Sequence, residues 1–168
     1  QLTTAGLRQL AIFAKKNAAG VLQVTADQNI AFPLAAAVKP DQAALELAAL
    51  ADEAATAAEV TFRVCPGNHE CKMGLAATRD IAETVIAAMN PPAKARTWAI
   101  SGCPNSCTQP QLADYGIVSS KLAAGTAGER TPLFDFYQRS KAGLGEKIRE
   151  RLTLEELTEL VRKAVPLA

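Results

Sequence analysis

The chain has 168 residues, 49% of them hydrophobic but only 5% aromatic, and a formal net charge of +1. That length buries a core as one large domain or two small ones, and the near-neutral charge excludes a long-range field drawing it to nucleic acid or a membrane surface. The longest apolar runs, such as Leu34-Ala35-Ala36-Ala37-Val38, fall far short of the about 20 residues that span a bilayer.

Leu7, Leu10, Ala11 and Ala14 recur at helical spacing, and Asn17 with Gly20 closes this predicted first helix. Residues 21–25 and 30–34 then read as two short strands around Ala26-Asp27-Gln28-Asn29. Pro40-Asp41 opens a second helix, with Asp41 as its expected N-cap and Leu47, Leu50, Ala51 and Ala54 on its apolar face. From Val60 the pattern becomes strand, cysteine loop, helix. Met73, Ala77, Ile81, Val85 and Met89 step by four until Asn90-Pro91-Pro92 ends the run. Residues 97–101 and 115–120 read as further strands, 121–131 as a Gly/Ala-rich loop, and 133–137 as an alternating strand. Thr153-Leu154-Glu155-Glu156 is a capping box ahead of the stripe Leu157, Leu160, Val161 and Ala164. The expected fold class is α+β, with one domain over residues 1–58 and an α/β sheet domain over 59–168 that carries the cysteines.

Those cysteines form two pairs. Cys65 and Cys71 lie in Cys65-Pro66-Gly67-Asn68-His69-Glu70-Cys71, and Cys103 and Cys107 in Cys103-Pro104-Asn105-Ser106-Cys107, 31 residues apart. Each pair follows a β-type run and enters a turn supplied by proline and asparagine. Two strand-end loops of a parallel sheet can place four thiolates around one point, which is the ligand set of an iron–sulfur cluster. Structural zinc favours tighter knuckles, often with histidine, and His69 is the only histidine. Disulfides suit a chain with an export signal and a small core, and neither is expected here. A cluster is the preferred reading and a four-cysteine zinc module the alternative. Reduced, paired cysteines point to a cytoplasmic protein.

The run Ser101-Gly102-Cys103-Pro104-Asn105-Ser106-Cys107-Thr108-Gln109-Pro110-Gln111-Leu112-Ala113-Asp114-Tyr115-Gly116-Ile117-Val118, with the upstream C-x5-C, resembles the siroheme- and 4Fe-4S-containing nitrite/sulfite reductases. Residues 2–10 and 22–30 resemble that family's ferredoxin-like half-domain, so the likeness runs from residue 1 to about residue 120. It implies a ferredoxin-like half-unit over 1–58 and a 4Fe-4S/siroheme-binding domain over 59–168. The family's half-domain has one more strand before its first helix, so the resemblance implies either truncation or a strand from elsewhere. Many relatives carry an arginine at the place of Asp27 in one of two half-repeats, and its absence likens this chain to the second, carboxy-terminal one. Gln109, Gln111, Ala113 and Asp114 look slightly more like nitrite-type relatives.

Six-electron reduction of nitrite or sulfite needs cofactors, because no side chain stores electrons. The resemblance implies a 4Fe-4S cluster on Cys65, Cys71, Cys103 and Cys107, with Cys107 bridging to siroheme. Pro104 suggests that Cys107 lies in a first helical turn, where free N–H groups face an anionic sulfur. Gln28 and Asn29 match a turn contacting the tetrapyrrole, the alternative being plain β-turn chemistry. The turn residues Asn68 and Asn105 join this cofactor-binding set. So does Arg63, on the same strand face as Cys65. Lys94 and Arg96 look like a family segment presenting two lysines to substrate. Strand alternation would put both on one face as catalytic cations, with guanidinium replacing ammonium at Arg96; the alternative is a solvated edge pair. His69 reads as a hydrogen-bond donor beside the cluster, or else as a proton source. Implied partners are a small oxyanion substrate, an electron donor such as ferredoxin or a reductase subunit, and a homodimeric copy or second half-chain. Neither nucleic acid nor membrane is expected. The reading from another class is a non-catalytic iron–sulfur electron-transfer or scaffold fragment without siroheme.

Overall fold

The computed structural model describes residues 2–54, 60–124, 128–140 and 142–163, which fall into two compact units, Gln1–Glu59 and Val60–Ala168. The class is α+β. In the first unit, helix α1 (Thr4–Asn17) starts where the Thr3 hydroxyl accepts from Gly6 N at 3.0 Å. It ends where Gly20, at φ 80°, donates to the Ala14 carbonyl. Leu10, Phe13 and Ala14 are buried while Leu7 and Ala11 are exposed, because the helix turns Phe13 inward to meet Phe32 edge-on at 4.9 Å. Strands β1 (Gln23–Val24) and β2 (Ile30–Ala31) pair antiparallel and are shorter than expected. Helix α2 (Pro40–Ala54) begins at its proline, so Asp41 sits inside the first turn, where an acid suits the dipole, rather than capping it. Leu47 and Leu50 are half-buried; the side chains of Ala51 and Ala54 lie outside the described residues. Glu46 ties the helices together, accepting from Lys16 at 2.9 Å and from Asn17 at 3.4 Å.

The second unit is one five-stranded sheet in the order β3 (Thr61–Val64), β4 (Thr97–Ser101), β5 (Tyr115–Ala124), β6 (Arg130–Gln138), β7 (Glu146–Leu152). The first three strands run parallel and the last two antiparallel. Trp98, Ala99 and Ile100 are wholly buried, as suits a parallel strand covered on both faces. Helix α3 (Thr78–Ala88) buries Ile81, Ala82 and Val85. It starts later than the four-residue stepping predicts, and Met73 lies outside it, exposed. The backbone ahead of it is spent on loop contacts: Ala76 accepts from Asn68, and Leu75 donates to Gly102. A short helix α4 (Pro91–Lys94) begins where the sequence suggested only a stop, because Asn90 caps it and proline fits its first positions. Helix α5 (Leu154–Arg162) has the expected capping box and buries Leu157 and Val161; Ala164 lies outside the described residues.

The loop expected over 121–131 is corrected. Strand β5 runs to Ala124 and pairs with β6 as far as Arg130; residues 125–127 lie outside the described residues. The sequence pattern predicts no strand at β7. Its first six residues are exposed, so this charged edge strand carries no apolar alternation to detect.

The β5–β7 end is pinned by Asp135. Its carboxylate accepts from Ser120 Oγ at 2.8 Å, Lys147 Nζ at 3.0 Å and Arg151 N at 3.1 Å. Burial pushes the carboxyl up, but Lys147, Arg151 and Ser120 outweigh it and hold it below the usual carboxylate range. A depressed folded value stabilises fully above the unfolded pKa of about 3.9 and is lost as pH falls through the folded one. Asp135→Asn is expected to cost about 1–3 kcal/mol near neutral pH and to flatten the acid limb of stability, read from urea midpoints between about pH 3 and pH 7.

Candidate metal centre

Strands β3 and β4 end side by side, Val64 opposite Ile100, and each runs straight into a cysteine loop. Cys65 N extends the ladder by donating to the Ile100 carbonyl at 3.1 Å. The chain then turns through Pro66 into a single 3₁₀ turn, Gly67–His69. Gly67 adopts φ 60°, and a Cβ there would collide with the Ala76 carbonyl and Thr78. This tight turn aims Gly67 N at Cys65 Sγ at 3.3 Å; from the other loop Gly102 N reaches the same sulfur at 3.1 Å. A Cβ on Gly102 would lie 2.9 Å from Gly67 Cα, so the two loops interlock through their glycines. Thr78, fully buried at the start of α3, donates its hydroxyl to the Cys65 carbonyl.

All four cysteines are free thiols; Cys65 and Cys103 are buried, Cys71 and Cys107 exposed. The helical turn expected at Cys107 is absent. Ser106 and Gln109 take φ values of 53° and 52°, and Gln109 N donates to Ser106 O at 2.8 Å, so Cys107 and Thr108 form the tip of a turn. The buried Ser101–Thr108 hydroxyl pair, 2.8 Å apart, holds that turn against the end of β4. Among the described residues no three His, Cys, Asp or Glu side chains are gathered closely enough to hold a metal ion. Closing the thiols on one group therefore needs movement of side chains. In kind the residues fit an iron–sulfur group: four free thiols on two interlocked loops, one sulfur already receiving two N–H donors, the type of contact that tunes cluster ligands.

The remaining predicted residues are spread more widely. Arg63 Nη2 donates to the Gln109 carbonyl at 3.2 Å, spanning from β3 to the second cysteine loop. Asn68 N bonds Ala76 O, while the Asn68 and Asn105 side chains are exposed on their turns. His69 faces Asp80 at 3.6 Å and Glu70 pairs with Arg79 at 2.6 Å, two links from the first loop to α3. Lys94 and Arg96 are not on a strand: one ends α4 and the other precedes β4. They stand at the amino-terminal end of β4, whereas the cysteine loops follow the carboxy-terminal ends, and a five-residue strand covers about 16 Å. Gln28 and Asn29 belong to the first unit. Gln28 sits at φ 60° in a turn closed by Thr25, whose hydroxyl accepts from Asn29 N at 3.1 Å. Sequence reasoning missed Thr78, Gly67 and Gly102; a glycine within two residues of each leading cysteine is the available signal.

No family model matches the chain. It is 28% identical over 186 aligned residues to a ferredoxin–nitrite reductase of Synechococcus elongatus, covering 97% of this chain and 33% of that protein. It is 31% identical over 105 residues to a ferredoxin–nitrite reductase of Leptolyngbya laminosa, covering 58% of this chain and 20% of the relative. A coenzyme F420-dependent sulfite reductase of Methanocaldococcus jannaschii is 40% identical over 60 residues, 34% of this chain and 10% of that protein. The chain thus resembles nitrite and sulfite reductases, and spans a third or less of the length of these curated relatives. No helix among the described residues is long and apolar enough to cross a membrane.

Proposed function

We propose that this chain, similar to nitrite and sulfite reductases, is the cluster-bearing part of a siroheme- and 4Fe-4S-dependent oxidoreductase that reduces nitrite or sulfite. The observation that carries the reading is the interlock of the two cysteine loops on the ends of adjacent parallel strands, with Gly67 and Gly102 both donating to Cys65 Sγ. When bound, the cluster and siroheme supply the electron storage that no side chain offers. Cys65, Cys71, Cys103 and Cys107 act as ligands, and the resemblance makes Cys107 the thiolate shared with siroheme. Arg63 holds the Cys107 turn through the Gln109 carbonyl. The amides of Gln28 and Asn29 remain candidates for tetrapyrrole contact, with a second half-unit, in this polypeptide or another, completing the pocket. The electron donor is ferredoxin or a similar one-electron carrier, as the names of the two nitrite-reducing relatives state for those proteins.

Anaerobic reconstitution with iron and sulfide is expected to load about four of each per chain, and siroheme to add its Soret and far-red bands. Stoichiometric zinc with no iron uptake overturns the proposal in favour of a zinc module. A cluster that never accepts siroheme in any assembly favours the electron-transfer fragment. Lys94→Ala and Arg96→Ala are expected to leave the iron content of the chain unchanged, since β4 separates both from the cysteine loops; iron lost in either variant would contradict that separation.

A further inference from the structure

The four thiols are unequal before any ligand arrives, and the inequality is built by residues that are not ligands. We propose that Thr78 is a positioning residue which, with the Gly67 and Gly102 amides, presets Cys65 as the fixed anchor of the centre, while Cys71 and Cys107 form its solvent-facing half. The inference rests on the cluster reading only for what the anchor eventually holds.

Three observations converge on Cys65. Its sulfur accepts from two backbone amides, one in each loop. Its carbonyl accepts from the Thr78 hydroxyl, and its own N–H is tied to Ile100. Every polar backbone group of the residue is therefore committed, and its side chain is committed as well. Thr78 is itself fully buried and stands at the first position of α3, so the helix transmits its packing against the sheet to the ligand. Gly67 cannot carry a side chain without striking Thr78 or Ala76, which makes the threonine and the turn parts of one locked assembly. Cys103 follows Gly102 directly and shares the burial. Cys71 and Cys107, by contrast, sit on exposed turns. A preset sulfur loses little freedom on binding, whereas the exposed pair must be ordered to close the site, as preorganisation requires.

The arrangement predicts an order of chemical access. In the reduced, metal-free chain, iodoacetamide is expected to alkylate Cys71 and Cys107 at least about tenfold faster than Cys65 and Cys103, because the buried pair reacts only through local opening. Thr78→Val keeps the shape but removes the hydroxyl; it should raise the Cys65 rate about tenfold while leaving Cys71 and Cys107 unchanged. Thr78→Ser restores the donor and should restore protection. Peptide mapping by mass spectrometry reads each site, and circular dichroism verifies that the variants are folded. Equal rates at all four thiols in the wild type overturn the proposal even if no variant folds. So does a Cys65 rate that ignores Thr78→Val in a folded variant. In the reconstituted protein, Thr78→Val should release iron to a chelator faster than wild type. A chain that shows the alkylation pattern yet never takes up iron retains the anchoring role of Thr78 and loses the cluster reading, so the two failures are told apart.

Discussion

Replacing Trp98 with alanine is expected to destabilise the sheet unit by about 3–5 kcal/mol, more than any other single truncation in it. Trp98 is wholly buried in β4, and its ring lies 4.5 Å from that of Tyr115, 6.1 Å from Phe62 and 6.2 Å from Phe136. Its indole N–H also donates to the Ala93 carbonyl at 2.8 Å, tying α4 to the strand. Truncation opens a cavity among aromatic neighbours and removes the indole donor from the Ala93 carbonyl, which keeps the Arg96 N–H at 3.2 Å, so the lost packing dominates the cost. Domains are typically stable by only about 5–15 kcal/mol, so a measurable unfolded population is expected near room temperature. Trp98 is the only tryptophan, so unfolding is followed by circular dichroism. The urea midpoint should fall with little change in slope. Trp98→Phe refills most of the cavity without the donor and should lie between the two. If it is as damaging as alanine, the bond to Ala93 rather than packing governs the site. An alanine variant as stable as wild type would show that β4 is not the centre of this core.

The elements legible in the sequence are those whose signal is local. Strand β4 is legible to the residue because Trp98, Ala99 and Ile100 form an apolar run, flanked by Thr97 and Ser101, between a turn and Gly102. The capping box of α5 was equally plain, since Thr153 and Glu156 satisfy one another within a single turn. The cysteine loops could be placed at strand ends from their proline, glycine and asparagine residues alone. What stayed hidden depends on partners far along the chain. The second half of β5 is held by pairing with 130–133 rather than by its own residues. Thr78 looks like any helix-starting threonine until the Cys65 carbonyl, 13 residues away, is seen to accept from it. Pro91 and Pro92 ended one helix as predicted, yet with Asn90 accepting from Ala93 N at 2.9 Å they also began another. That second role takes Lys94 and Arg96 off the strand that the sequence predicts for them. It leaves Arg96 beside Tyr115, at the far end of the sheet from the thiols.

Serine substitutions at Cys65 and Cys107 are expected to fail in different ways. Cys65 is the buried sulfur that receives the Gly67 and Gly102 amides. Replacing it exchanges a soft ligand for a hard oxygen at the most constrained position, and serine is a poor partner for iron–sulfur centres. Iron in Cys65→Ser should therefore fall from about four per chain to a small fraction of that, with any siroheme lost as a consequence. Cys107 lies on an exposed turn braced by Arg63 through Gln109 and by Ser101 through Thr108. Its replacement leaves the buried pair and their amide donors in place, so more of the iron should survive than in Cys65→Ser. On the proposed reading, Cys107→Ser would lose the thiolate shared with siroheme, and with it the magnetic coupling between siroheme iron and the cluster. Iron analysis reports the first difference, and Mössbauer spectra of a preparation that binds siroheme report the second. Siroheme that keeps both its spectrum and its coupling in Cys107→Ser would move the bridge to another cysteine. Equal iron loss in the two variants would remove the distinction between a buried, anchored half and a solvent-facing half of the centre.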